Sequence, residues 1–149
     1  MKYALIAVVF SLFISCSKDK EEDFTARNEK EITDYIAKNN LNAQKSASGL
    51  YYVVNEKGSG AQPTTTSDVR VAYKGYFTNG NVFDQSGADG ITFNLQQVIQ
   101  GWTEGITCFK EGGNGILLVP SNLGYGNSDR NRIPGGSVLI FEIKLISVK

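Results

Sequence analysis

The sequence predicts an α+β domain in which a curved antiparallel β-sheet of about five strands wraps on one short α-helix. Runs of β-branched and aromatic residues, punctuated by Gly, Asn and Pro turn signals, recur from Gly49 to the C-terminus. Successive runs are joined by short links, one of them carrying Asn79-Gly80, so neighbours in sequence pair antiparallel. Within this region one stretch has helical period: Val98, Trp102 and Ile106 recur at i, i+4 and i+8. Such a helix has one apolar face and must lay it on the sheet.

The 149 residues suffice for one domain and an appendage. Residues 1–15 read as a signal peptide, with Lys2 ahead of an uncharged run from Tyr3 to Ile14 that is too short to span a bilayer. Leu12-Phe13-Ile14-Ser15-Cys16 resembles the lipobox of bacterial lipoproteins, which implies cleavage before Cys16 and acylation of that residue, palmitate included. An ordinary signal peptide cut nearby is the alternative. Acyl chains contribute ~0.8 kcal/mol per buried CH₂, so two or three would hold the protein durably on a membrane. Residues 16–24 then form the lipidated Cys and a polar tether, charged from Lys18 to Asp23 and expected to be solvated. Its acidic composition resembles the surface-export signal of some outer-membrane lipoproteins.

Residues 25–47 are a short N-terminal helix and linker. Ile32, Tyr35 and Ile36 share one face, Glu29, Lys30, Glu31 and Lys38 the other, and Asn39-Asn40 stops the helix. One apolar turn is enough to pack on the domain or on another chain, and too little for a coiled coil. Residues 48–149 are the main domain. Its strands are Gly49–Val54, Val69–Phe77 with Val69, Val71 and Tyr73 on one face, Val82–Asp84, Ile91–Leu95, Gly115–Val119 and Ser137–Val148. Pro120 to Pro134 is a Gly- and Pro-bearing loop.

Composition excludes several chemistries. Fifteen basic residues balance fifteen acidic ones, and loss of a leader whose one charge is Lys2 leaves fourteen against fifteen, so no charge excess points to nucleic acid. The chain has no His, which removes imidazole-dependent triads and metal sites, and no metal centre is expected. Beyond Cys16 the remaining cysteine is Cys108, which reads as a small core residue more than as a reactive thiol.

Taken alone, Trp102 on an apolar helix face is ordinarily a core residue, and so are Phe83, Phe93 and Phe141 on their strands. Asp84 beside Phe83 reads alone as an exposed turn cap. The order of motifs changes this reading. Val71-Ala72-Tyr73-Lys74-Gly75, Gly80-Asn81-Val82-Phe83-Asp84-Gln85-Ser86 and Gln97-Val98-Ile99-Gln100-Gly101-Trp102-Thr103-Glu104-Gly105 resemble the FKBP-type peptidyl-prolyl cis-trans isomerases. So do Pro120-Ser121-Asn122-Leu123-Gly124-Tyr125-Gly126, Ile133-Pro134 and Leu139-Ile140-Phe141-Glu142-Ile143, and the likeness runs in order from Gly49 to Val148. The short link between Phe93 and Val98 is similar to that of bacterial envelope members.

The resemblance implies an FKBP-like fold and a proline pocket. Tyr73, Phe83, Asp84, Trp102, Tyr125 and Phe141 would be its catalytic residues, with Trp102 as the floor and Asp84 as a hydrogen-bonding edge, not a base. Ile91, Phe93, Val98, Ile99 and Ile133 would bind substrate, the Ile99 N–H and the Tyr125 hydroxyl meeting ligand carbonyls. Ile91 stands where many members have an aromatic wall, Gln100 replaces a common Pro or Arg, and Gly124 stands where Ala is frequent. Implied partners are proline-containing unfolded or exported polypeptides, the family's macrolide inhibitors and, through Cys16, a membrane, with no cofactor and no nucleic acid. The implied location is the bacterial cell envelope, on the periplasmic or surface side of the outer membrane. A chaperone or peptide-binding lipoprotein using the same apolar pocket without catalysis is the alternative, and a structural component of an envelope machine is a weaker one.

Overall fold

A computed structural model describes residues 22–149. The expected signal peptide, Cys16 and most of the tether lie outside the described residues. Helix α1 spans Thr25–Lys38, followed by the strands β1 (Gln44–Lys45), β2 (Tyr51–Glu56), β3 (Asp68–Tyr76), β4 (Val82–Gln85) and β5 (Ile91–Asn94). Helix α2 is Gln100–Gly105, extended by a 3₁₀ turn at Ile106–Cys108, and β6 (Asn114–Val119), a 3₁₀ turn at Ser121–Leu123 and β7 (Leu139–Val148) complete the order.

The sheet runs β1-β2-β6-β7-β3-β4, with β5 also on β3, and every pairing is antiparallel. It has seven strands where the sequence suggests about five, because the two-residue β1 falls in the expected linker and β4 and β5 share one edge of β3. The two are too short to form separate ladders, so β5 pairs with Asp68–Val71 and β4 with Lys74–Tyr76. The β3–β4 connection is five residues long, 77–81, closed by the Phe77 N–H on the Asn81 carbonyl at 3.0 Å, with Gly80 at φ 89° supplying the left-handed turn position.

Strand alternation sorts the interior. On β7, Leu139, Phe141, Ile143 and Leu145 face α2 together with Val69, Val71, Leu117, Trp102, Ile106 and Phe109. The opposite face carries Leu118, Ile140, Val53 and Val138, and α1 covers this patch with Ile32, Tyr35 and Ile36. Glu142 and Lys144 occupy the same face farther along β7 and are exposed. Of the two packings that the sequence left open for α1, the structure has the helix on its own domain.

Candidate active site

Tyr73 lies mid-way along β3, and its backbone is held from both sides by Ser86: the Tyr73 N–H donates to Ser86 Oγ and the Ser86 N–H to the Tyr73 carbonyl, each at 2.9 Å. Phe83 reaches the same space through a β-bulge. Gly75 pairs with Asp84 and Tyr76 with Val82, so Phe83 is the extra residue between them. Gly75 makes the room: a Cβ there would lie 2.7 Å from Phe83 Cζ and 2.9 Å from Phe141 Cε1. Phe93 enters from β5 and Phe141 from β7.

Helix α2 begins at Gln100, two residues after the first member of the Val98/Trp102/Ile106 recurrence, with Ile99 as N-cap and Val98 just outside. It presses close to β6 through two glycines. A Cβ at Gly101 would lie 2.6 Å from Val119 Cγ1, and one at Gly105 would lie 2.7 Å from Leu117 Cδ1. This seating sets the height of Trp102, which meets Tyr73, Phe93 and Phe141 edge to face at centroid distances of 5.0, 5.3 and 5.3 Å. The Trp102 indole Nε1 is buried and has no hydrogen-bond partner among the described residues.

These side chains enclose a cavity of about 520 Å³ lined by Tyr73, Phe83, Asp84, Phe93, Gln97, Val98, Ile99, Gln100, Trp102, Gly124, Tyr125, Arg130 and Phe141. Trp102 and Phe141, each 4% exposed, form its depth, and the remaining rings are half-buried toward the mouth. Tyr125 stands at the rim, 36% exposed, with the Arg130 guanidinium 5.8 Å from its ring centroid. A neighbouring cavity of about 560 Å³ shares Phe83, Asp84, Tyr125 and Arg130 and is closed by Asn131, Arg132 and Ile133. The Tyr73 hydroxyl donates to Asp84 Oδ2 at 2.7 Å. Burial first and this bond second push the Tyr73 phenol well above its ordinary pKa, so it stays a protonated donor.

Most of the residues that the sequence nominates therefore meet around one cavity. Ile133 lines the neighbouring one instead, and Ile91, 43% exposed on β5, lines neither. Cys108 sits apart on the 3₁₀ turn, half-buried, its thiol pKa raised by burial and then by Glu104. The sequence reading did not single out Arg130, or the seating of α2 by Gly101 and Gly105. The four-residue spacing of those glycines inside a helical period was the available signal for the second; nothing local marks the first.

A cavity floored by Trp and walled by Tyr and Phe, with one carboxylate accepting from a phenol, suits the binding of an apolar ring. A family model described as FKBP-type peptidyl-prolyl cis-trans isomerase matches residues 59–146. The chain belongs to the FKBP-type peptidyl-prolyl cis-trans isomerase family. It is 44% identical over 108 residues to FKBP-type peptidyl-prolyl cis-trans isomerase FkpA of Buchnera aphidicola subsp. Schizaphis graminum, covering 70% of this chain and 43% of that one. It is 39% identical over 140 residues to FkpA of Escherichia coli strain K12, covering 91% of this chain and 52% of that one. Among solved structures, FkpA from Escherichia coli aligns with a TM-score of 0.70 at 36% identity, over 83% of this chain and 63% of that one. A peptidyl-prolyl cis-trans isomerase from Pseudomonas syringae pv. tomato aligns with a TM-score of 0.73 at 29% identity, over 86% and 97%. The chain spans about half the length of the curated FkpA relatives it matches. The α+β fold expected from the sequence is the FKBP fold of these neighbours.

Proposed function

We propose that this FKBP-type chain accelerates cis–trans isomerisation of X–Pro bonds in exported polypeptides, with the Trp102-floored cavity as the site. The observation that carries it is the aromatic floor: three rings stand edge to face on Trp102, giving an apolar surface on which a pyrrolidine ring can be seated. Rotation about a peptide bond must cross ~18–20 kcal/mol because twisting destroys amide resonance, and X–Pro bonds take tens to hundreds of seconds unaided. No covalent bond is made or broken, so a site without His, metal or nucleophile is sufficient. Seating the prolyl ring on Trp102 between Tyr73, Phe93 and Phe141 strips water from the amide, and the charge-separated planar form loses more in that setting than the twisted one does. Binding the twisted amide more tightly than either planar form is what yields rate. The Tyr125 hydroxyl, at the rim, and the Ile99 N–H, which has no intrahelical acceptor, are the donors for substrate carbonyls. Asp84 keeps the Tyr73 hydroxyl engaged, so that ring stays fixed as a wall. Val98 and Ile133 flank the peptide, and Ile91 contacts it only beyond the cavity.

Cleavage before Cys16 and its acylation, with the protein held on the bacterial envelope, belong to the same reading; its support is the lipobox-like run Leu12 to Cys16. Metabolic labelling with a palmitate analogue, lost in Cys16→Ser, tests the anchor. The activity is tested by the isomerisation rate of short X–Pro peptides with and without a macrolide ligand of the family. Inhibitable acceleration supports the enzyme. A folded protein that binds such peptides without accelerating them overturns it in favour of the peptide-holding reading.

A further inference from the structure

We infer that Asn28 on α1 is a positioning residue for the pocket: it closes a ring of hydrogen bonds that fixes the loop carrying Tyr125, and so makes α1 part of the site's support.

Asn28 is a polar side chain buried to 1% exposure on a helix whose other buried contacts are apolar. A buried amide persists where its groups are satisfied, and here both are, by the two ends of one loop. The Ser121 N–H donates to Asn28 Oδ1 at 2.7 Å, and Asn28 Nδ2 donates to the Gly136 carbonyl at 2.9 Å. The loop's own backbone completes the circuit. The Gly126 N–H donates to the Ser121 carbonyl at 2.8 Å, and the Gly136 N–H donates to the Gly126 carbonyl at 2.9 Å. Asn28, Ser121, Gly126 and Gly136 are therefore joined in a closed cycle, and Tyr125 is the residue next to Gly126. The partners demand an acceptor on one side and a donor on the other, so only an amide satisfies both; a carboxylate would set an oxygen against the Gly136 carbonyl. Phe24, one helical turn before Asn28, packs its ring on Gly136 where any Cβ would collide, and holds the same loop end from outside.

The apolar contacts of α1 do a different job. Ile32 packs on Val53, Leu118, Val138 and Ile140, which lie on the face of the sheet away from the cavity. Asn28 and Ile32 thus separate two roles of one helix: attachment to the sheet, and control of the loop. The inference rests on the proposed isomerase activity only for its kinetic readout, since loop protection is measured without it.

The test uses the full chain in detergent, comparing wild type, Asn28→Leu, Asn28→Asp, Ile32→Val, Tyr125→Phe and the double variant Asn28→Leu/Tyr125→Phe. Two quantities are read: kcat/KM on an X–Pro peptide, and amide hydrogen exchange at Gly126 and Gly136. The expected result is faster exchange at both glycines in the Asn28 variants, with kcat/KM lowered on the order of ten-fold by displacement of the rim hydroxyl. Ile32→Val should leave both near wild type at matched temperature below its melting point. In the Tyr125→Phe background, Asn28→Leu should cost less than two-fold further, because it acts through the hydroxyl already removed. Should Asn28→Leu not fold, Asn28→Asp, which keeps the bond from Ser121, carries the same comparison. Unchanged exchange and activity in the folded Asn28 variant, or fully multiplicative losses in the double variant, overturn the inference. An inactive wild type with loosened Gly126 and Gly136 in Asn28→Leu would sink the activity reading and leave the clamp.

Discussion

Gly101→Ala is the most informative single change. The added methyl would lie 2.6 Å from Val119 Cγ1 and 3.0 Å from Cγ2, roughly 1 Å inside the ~3.5–4.0 Å of an ordinary carbon contact. Val119 is fully buried on β6, which is paired on one side to β2 and on the other to β7, so the strand has no room to retreat. The helix must lift, and Trp102 moves with it. Overpacking of this kind costs about 1–3 kcal/mol, while Ala gains ~0.8–1 kcal/mol over Gly in a helix. The net loss is about 0–2 kcal/mol, below the ~5–15 kcal/mol that holds an ordinary domain folded. A 1 Å displacement at a site, in contrast, lowers rates by as much as ~10²-fold. Isomerisation of an X–Pro peptide should therefore fall ten- to a hundred-fold, by roughly that estimate, in a protein whose circular dichroism is unchanged. Val119→Ala removes both colliding carbons, so Gly101→Ala/Val119→Ala should regain most of the loss, with a coupling of about 0.5–3 kcal/mol. Wild-type kcat/KM with a raised melting temperature in the single variant would refute the reasoning, and so would a double variant no better than the single one.

Three further outcomes follow from the site. Phe141→Ala and Tyr73→Ala should lower kcat/KM at least several-fold more than Cys108→Ala, since the first two remove rings from the Trp102 floor and Cys108 lies outside the cavity; equal losses would dissolve the assigned pocket. Tyr73→Phe keeps the ring but loses the bond to Asp84, worth about 0.5–1.5 kcal/mol of stability. Because burial and Asp84 raise the Tyr73 phenol above its ordinary value of 10.0, its contribution is complete below pH 10.0 and is lost as pH rises through the higher folded value. Denaturant midpoints of wild type and Tyr73→Phe should keep a constant gap up to pH 10.0 and converge above it, whereas a widening gap would contradict the sign. Alkylation of Cys108 should reach half its maximal rate above pH 9.0, the ordinary thiol value, because burial and then Glu104 raise it; a lower midpoint would mark an activated thiol instead.

Features that depend on neighbours along the chain were legible in the order of residues. Alternation of Val69, Val71 and Tyr73 assigns one face of β3, and the recurrence of Val98, Trp102 and Ile106 assigns one face of the helical stretch. The ordered motifs around them identify the family and most of the cavity lining. Features that depend on distances between segments remote in sequence emerged only once the chain was folded. Phe83 enters the cavity because a bulge against Gly75 turns it there, and Ile91 stays out because β5 holds it exposed at the edge of β3. The height of Trp102 depends on how closely Gly101 and Gly105 approach Val119 and Leu117. Asn28 reads in sequence as one more polar residue on a charged helix, yet it bonds to Ser121 and Gly136, 93 and 108 residues away. Periodicity is a local property and survives in a string of residues, whereas the partner of a buried amide is fixed only when the sheet brings distant segments together.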